Sequence, residues 1–172
     1  MRTAMTQSIT ETQNQESFRV MMRGFPTGVA VVTTVGDDGR PWGMTCSSVC
    51  SVTLDPPTLL VCLRDGSPTL SAMRDSGQFA VNLLHGQGQP AAELFASGRL
   101  DRFDVAHWED GPAHAGPHLT MDAHAIADCD VIGTQPVGDH VVVFGQARRI
   151  RAHHGHPPLL YGRQRYHIWP ES

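Results

Sequence analysis

The sequence predicts a mainly β protein, an antiparallel β-barrel decorated with a few short helices. Three observations carry this. The apolar residues fall largely in short, β-branched runs such as VAVVTTV (29–35), TLLVCLR (58–64) and HVVVFGQ (140–146). Most links between these runs are a few residues long, too short for the dozen or more residues of a parallel crossover. Only three segments show helical signals, and each is short. At 172 residues the chain suits one domain, a size that buries roughly 70% of its extended surface without metal or disulfide staples.

Taken in order, residues 1–15 are polar and are expected to form a flexible tail, leaving 16–172 as the domain. Residues 16–24 place Phe18, Met21, Met22 and Phe25 at helical spacing, and Pro26-Thr27-Gly28 ends that helix. A strand over 29–35 turns at GDDG (36–39), and 42–54 is expected to return as one strand. Asp55-Pro56-Pro57 stops it before a third strand over 58–64. Ser67 as N-cap, Pro68 at the first helical position and Gly77 near the end mark a short helix. A strand over 78–84 and a helix over 90–98 follow, then a loop rich in Gly, Pro and His to about residue 120. Strands over 123–135, 140–152 and 159–168 close a chain of six or seven strands and three helices.

Charge narrows the partners. A net charge of −4 and no basic stripe argue against nucleic acid. Arg148, Arg149, Arg151, Arg163 and Arg165 are explained as well by a solvated strand end as by an anion site. The N-terminus has no apolar signal region, and no 18-residue apolar run exists, so a cytoplasmic protein without a membrane segment is expected. Cys46, Cys50, Cys62 and Cys129 lack paired metal spacing and read as reduced, small hydrophobes.

Two motifs are set aside on chemistry. Gly86-x-Gly88-x-x-Ala91 imitates a dinucleotide fingerprint, but no second parallel strand ending in an acid follows the helix. His153-His154-Gly155-His156 crowds histidines into one loop, where neighbours rarely face a single ion, so no metal is expected. His114, His118 and His124 offer nothing better. His140 stands apart because Gly138-Asp139 turns the chain directly before VVVFG, so its ring should project from the mouth of the sheet.

The stretch GMTCSSVCSVTLDPP (43–57) is unusual for a core strand. Alternation puts Met44, Cys46, Ser48, Cys50, Val52 and Leu54 on one face, expected to line the barrel. Thr45, Ser47, Val49, Ser51 and Thr53 share the other, small and uncharged until Asp55, which suits close approach of a flat polar ligand. Ser67 and Thr69 at a helix N-terminus could clamp a phosphate, or Ser67 could simply cap the helix.

The order and spacing of FPTGVAVVTT, GMTCSSVCSVTLDPPTLLVCL, FAVNLL, DRF, GDHVVVFGQ and YGRQRYH resemble the short-chain flavin reductases. This family is flavin-reductase-like and split-barrel, and supplies the reductase component of two-component flavin monooxygenases. The resemblance runs from Phe18 to Ile168. It implies a six-stranded antiparallel Greek-key split β-barrel that forms a homodimer. It also implies FMN or FAD as the flavin, NADH in preference to NADPH as hydride donor, and a partner monooxygenase fed by diffusing reduced flavin. The flavin positions it implies are Thr45, Cys46, Ser47, Ser48, Cys62 and Leu63 for the ring. Ser67 and Thr69 match the phosphate site, joined by Arg102 and Phe103 of the Asp101-Arg102-Phe103 loop. Tyr166 borders the pocket, and His140 stands near the nicotinamide. Cys46 stands where Ala is more usual, while Cys50 and Thr53 replace an apolar residue and a Ser. A pyridoxamine-phosphate-oxidase-like barrel and a non-catalytic flavin- or haem-binding barrel are the alternatives.

Overall fold

A computed structural model describes residues 10–111, 115–153 and 155–170. The chain opens on helix α1, Glu11–Arg23, earlier than the apolar spacing indicates. Thr10 caps it with a reciprocal box, accepting from the Gln13 N–H while the Gln13 side chain accepts from the Thr10 N–H. The first turn is polar, so apolar periodicity could not announce it. Of the expected tail, residues 11–15 are therefore helix, and 1–9 lie outside the described residues.

The strands are β1 (Thr27–Gly28), β2 (Ala30–Val35), β3 (Pro41–Cys46), β4 (Val49–Leu54), β5 (Pro57–Arg64), β6 (Gln78–Leu84), β7 (Ala123–Val137), β8 (His140–Ala152), β9 (Leu159–Gly162) and β10 (Arg165–Ile168). Three further helices, α2 (Pro68–Ser76), α3 (Gln89–Ala96) and α4 (Arg102–Val105), lie between them. The Gly86–Gly88 segment is a single 3₁₀ turn, with no parallel strand after α3. As the turn residues require, Ser67 caps α2 and Gly77 ends it at φ 68°.

Two sheets result, and every strand pair in them is antiparallel. The larger has seven strands in the order β3-β2-β6-β7-β8-β5-β4; the smaller is β1-β9-β10. In a flat seven-stranded sheet the outer strands would stand about 29 Å apart. Here those edges, β3 and β4, are consecutive in sequence and only Ser47 and Ser48 separate them, a link spanning at most about 11 Å. The sheet must therefore roll up. The roll is split, not closed: no ladder joins β3 to β4.

That break corrects the single strand expected over 42–54. Two residues outside the ladder shift the register of faces. Val49 packs on the core beside Met44 and Cys46, while Cys50, Val52 and Leu54 are exposed and do not line the interior. The expected final strand over 159–168 is likewise a hairpin, β9–β10, turning at Arg163 and Gln164.

β2 explains why the apolar run VAVV (29–32) shows no alternation. Ala30 and Val32 face one core cluster with Leu63, Phe79, Val81 and Val143. Val29 and Val31 face another with Leu84, Phe95, Leu119 and Ile126. A strand buried on both faces has no polar side to alternate with. Gly145 of β8 lets the Phe79 ring lie flat on the backbone, since a Cβ there would collide with that ring and crowd Cys129. Gly145→Ala is expected to lower stability by about 1–3 kcal/mol through overpacking, read as a reduced urea midpoint at unchanged slope.

Candidate functional site

The site is built around the break between β3 and β4. Ser47 and Ser48 are exposed there, outside both ladders, and the Ser47 N–H donates to nothing among the described residues. Their small side chains leave the backbone open to a ligand. The neighbouring wall is β5: the Cys62 N–H donates to the Ser48 carbonyl at 3.1 Å, and the Cys46 thiol reaches the Cys62 carbonyl at 3.7 Å. Thr45, Cys46, Ser47, Ser48, Cys62 and Leu63 thus lie together along the break and the adjoining stretch of β5. Their side chains are not all open to a ligand. Thr45 spends its hydroxyl on the Ala92 carbonyl of α3 at 2.6 Å, and Leu63 is fully buried, so only its backbone could serve a ligand.

Past the end of β5, Ser67 accepts from the Leu70 N–H at 3.2 Å. Its hydroxyl is a working N-cap, and Thr69 is buried behind it. Of the two readings of Ser67 the structure shows the cap: its hydroxyl is committed to the helix, whose N-terminus follows the end of β5. His140 pairs in register with Arg64 at that same end, and its Nδ1 lies 2.8 Å from an Asp139 carboxylate oxygen. The ring is exposed, as a turn position predicts, and hydrogen bonding from His140 holds the Asp139 carboxyl below its ordinary range.

Arg102 and Phe103 arrive from α4. Arg102 donates to the Phe95 carbonyl at 3.2 Å, and partial burial lowers its pKa. Phe103 sits edge-on to Phe95 and to Trp108, with ring centroids 5.0 and 5.8 Å away. It reaches the β3 strand at Gly43, where a Cβ would stand 3.0 Å from the Phe103 ring. Tyr166 packs against Tyr161, 5.1 Å between centroids, with burial raising its hydroxyl pKa.

A cleft of about 620 Å³ opens beside Ser47 and Ser48, within the 300–1,000 Å³ usual for small-molecule sites. Its far walls are α1 and the β9–β10 turn: Phe18, Met22 and Phe25 on one side, Tyr161 on the other. His140, Arg102 and Tyr166 do not line it. The residues that sequence reasoning missed are those of α1 and Arg163, whose positions depend on the chain's two ends meeting.

Burial pushes the Cys46 and Cys62 thiols up, and that of Cys129 up to about 12. Cys50 is the exposed one. With iodoacetamide near pH 8, Cys50 is expected to be alkylated first, Cys62 more slowly and Cys129 last, followed by peptide mass spectrometry. Among the described residues no group of His, Cys, Asp or Glu could hold a metal. His114 and His154 lie outside them.

Comparison with known proteins agrees with this geometry. Residues 22–170 match the Flavin reductase like domain. The chain is 49% identical over 155 residues to "Flavin reductase (NADPH)" of Lentzea aerocolonigenes, covering 90% of each. It is 42% identical over 156 residues to "Flavin reductase (NADH)" of Kitasatospora aureofaciens, covering 90% of this chain and 82% of that one. Among solved structures, BorF, the flavin reductase component of a bacterial two-component tryptophan halogenase, superposes with a TM-score of 0.82. It is 30% identical, over 92% of this chain and 99% of that one. The chain belongs to the flavin reductase like domain family.

Proposed function

We propose that the protein is an NAD(P)H-dependent flavin reductase that supplies reduced FMN or FAD to a partner flavin-dependent monooxygenase. The observation that carries this reading is the Ser47–Ser48 segment that leaves the ladders between β3 and β4, with the Ser47 N–H free, beside β5 and the α2 N-terminus. When bound, the flavin ring accepts at N5 the hydride leaving nicotinamide C4. The chain's own task is to bind, orient and exclude water. The free N–H at Ser47 would serve as a donor to polar atoms of the ring. The α2 N-terminus offers backbone dipole for a phosphate, worth roughly 0.3–1 kcal/mol, and Arg102 adds a permanent cation. His140, fixed by Asp139, positions the nicotinamide.

NADH is the donor that family habit favours, whereas the two relatives above are named one for each nucleotide. A flavin released as product should bind near micromolar, about −8 kcal/mol. Homodimer formation is supported by unpartnered apolar side chains at Val52, Leu54, Ile132, Val137 and Ile150; Leu54 is 88% exposed. No helix among the described residues is long and apolar enough to cross a membrane.

The test is oxidation of NADH and NADPH at 340 nm with FMN, FAD or no flavin. A flavin-dependent rate is expected; none with any combination would sink the reading. His140→Ala is expected to raise the nicotinamide KM or lower kcat about tenfold or more, as loss of a positioning group does, with flavin Kd changing less. The reverse pattern would remove His140 from the nicotinamide.

A further inference from the structure

Resting on the reductase reading, we propose that Arg19, Arg23 and Arg163 form a binding wall for the 2′-phosphate of NADPH, so that the cleft beside Ser47 and Ser48 selects NADPH over NADH. This reverses the donor that family habit favours, and it stands on the charge and geometry of this one cleft.

All three arginines line the cleft, and no Asp or Glu does. In a chain of net charge −4 that is a marked local excess. Other hollows differ: one is walled by Asp37, Asp38 and Asp75, and another mixes Arg148 and Arg149 with Asp128 and Asp130. Two arginines elsewhere are held by carboxylates, Arg148 on Asp130 and Arg99 on Asp101, both at 2.6 Å. Arg19 has only a 3.5 Å contact with Glu16 on the exposed side of α1, and Arg23 and Arg163 make no ion pair among the described residues. Cationic walls of this kind focus field into a cleft and concentrate anions there.

Backbone strain points the same way. Arg163 and Gln164 carry φ of 50° and 62°, a left-handed pair that Asn-Gly would adopt cheaply and that costs other residues about 1–2 kcal/mol each. The turn is held in place: the Arg163 N–H donates to the Arg23 carbonyl at 2.8 Å, and Gly162 lies against Pro26. That single bond joins two arginines 140 positions apart in sequence at the mouth of one cleft. A strained position occupied by a long cation at a cleft is where function is expected to override local preference.

The chemistry selects a phosphate monoester. Planar guanidinium forks match its three oxygens, and its charge approaches −2 near neutral pH. The flavin phosphate is assigned to the α2 end, leaving this wall for the nucleotide that donates hydride. Ser47 and Ser48 share the cleft with the arginines, so a nicotinamide over the flavin would direct its adenosine half toward α1, whose Phe18, Met22 and Phe25 offer an apolar face.

The experiment uses the full chain with Arg163→Asn, which keeps a side chain tolerant of the left-handed turn, and separately Arg19→Gln on exposed helix. Calorimetry of the unmutated protein should show adenosine 2′,5′-bisphosphate binding at least tenfold tighter than 5′-AMP, a preference weakening with salt. Each variant should shrink that preference, and the ratio of kcat/KM for NADPH over NADH should fall by about tenfold. If Arg163→Asn fails to fold, Arg19→Gln carries the test. Equal binding of the two nucleotides, an unchanged donor ratio, or a loss confined to FMN affinity would overturn the proposal while leaving the reductase reading intact. Absence of any flavin-dependent oxidation by the unmutated chain would instead remove the reductase reading, and this proposal with it.

Discussion

Asn82→Ala is expected to destabilise the protein by about 3 kcal/mol or more and to weaken flavin binding from a distance. Asn82 is wholly buried in β6, and its amide is fully used. Nδ2 lies 3.1 Å from the Val31 carbonyl, 3.2 Å from the Thr33 hydroxyl and 3.3 Å from the Pro117 carbonyl, while Oδ1 accepts from the Leu119 N–H at 2.8 Å. Truncation strands the Leu119 N–H inside the core, an orphan costing about 1–3 kcal/mol, deprives the Val31 carbonyl of its side-chain donor, and leaves a cavity. In a domain of this size about 3 kcal/mol corresponds to a melting temperature roughly 6–12 °C lower.

The effect should reach the site because Asn82 fastens the long loop that supports it. Held at 117–119, the loop pairs His118 with Glu109 in both backbone directions. One residue earlier, the Trp108 indole N–H donates to the Phe103 carbonyl at 2.9 Å, and Phe103 in turn packs on Phe95 and Gly43. Loosening the loop lets the Arg102-Phe103 pair drift from β3. Flavin titration of the folded variant should therefore show a higher Kd; unchanged Kd with lowered stability would confine Asn82 to the core.

Asn82 also shows where sequence legibility ends. An Asn inside FAVNLL is a visible anomaly, but nothing local says which loop it holds. What was legible followed rules acting over a few residues: the β-branched runs, the α2 cap at Ser67 and Pro68, and the left-handed stop at Gly77. The unusual stretch at the candidate site was legible as composition, since short side chains without charge recur from Thr45 to Ser51. Its division was not, because alternation contains no signal for a two-residue exit from the ladder at Ser47 and Ser48. The α1 start was hidden because capping by Thr10 and Gln13 is polar and leaves no apolar stripe. The arginine wall was invisible for a topological reason: Arg23 and Arg163 meet only after the β9–β10 hairpin folds back across the end of α1. The family resemblance implied residues near a flavin ring, and could not weigh Thr45 against its bond to α3.

Breaking the buried His118–Asp128 pair should have the second large effect. His118 is 1% exposed and Asp128 9%, with Nε2 and a carboxylate oxygen 2.6 Å apart. The other ring nitrogen, Nδ1, is buried with no partner among the described residues. Asp128→Ala leaves the imidazole with neither nitrogen paired, whereas His118→Ala leaves a carboxylate facing the core. Removing one member of such a pair costs about 3–5 kcal/mol, yet replacing both with apolar residues of similar volume is often neutral or stabilising. The single variants are therefore expected to melt roughly 6–20 °C lower, and the double variant His118→Leu with Asp128→Leu should recover most of that loss. The coupling energy from a cycle of His118→Leu, Asp128→Leu and their double variant, read from urea unfolding, separates the pair from its packing. If the double variant is as unstable as the sum of the singles, the two residues act independently, and the cost lies in the volume each fills beneath the loop.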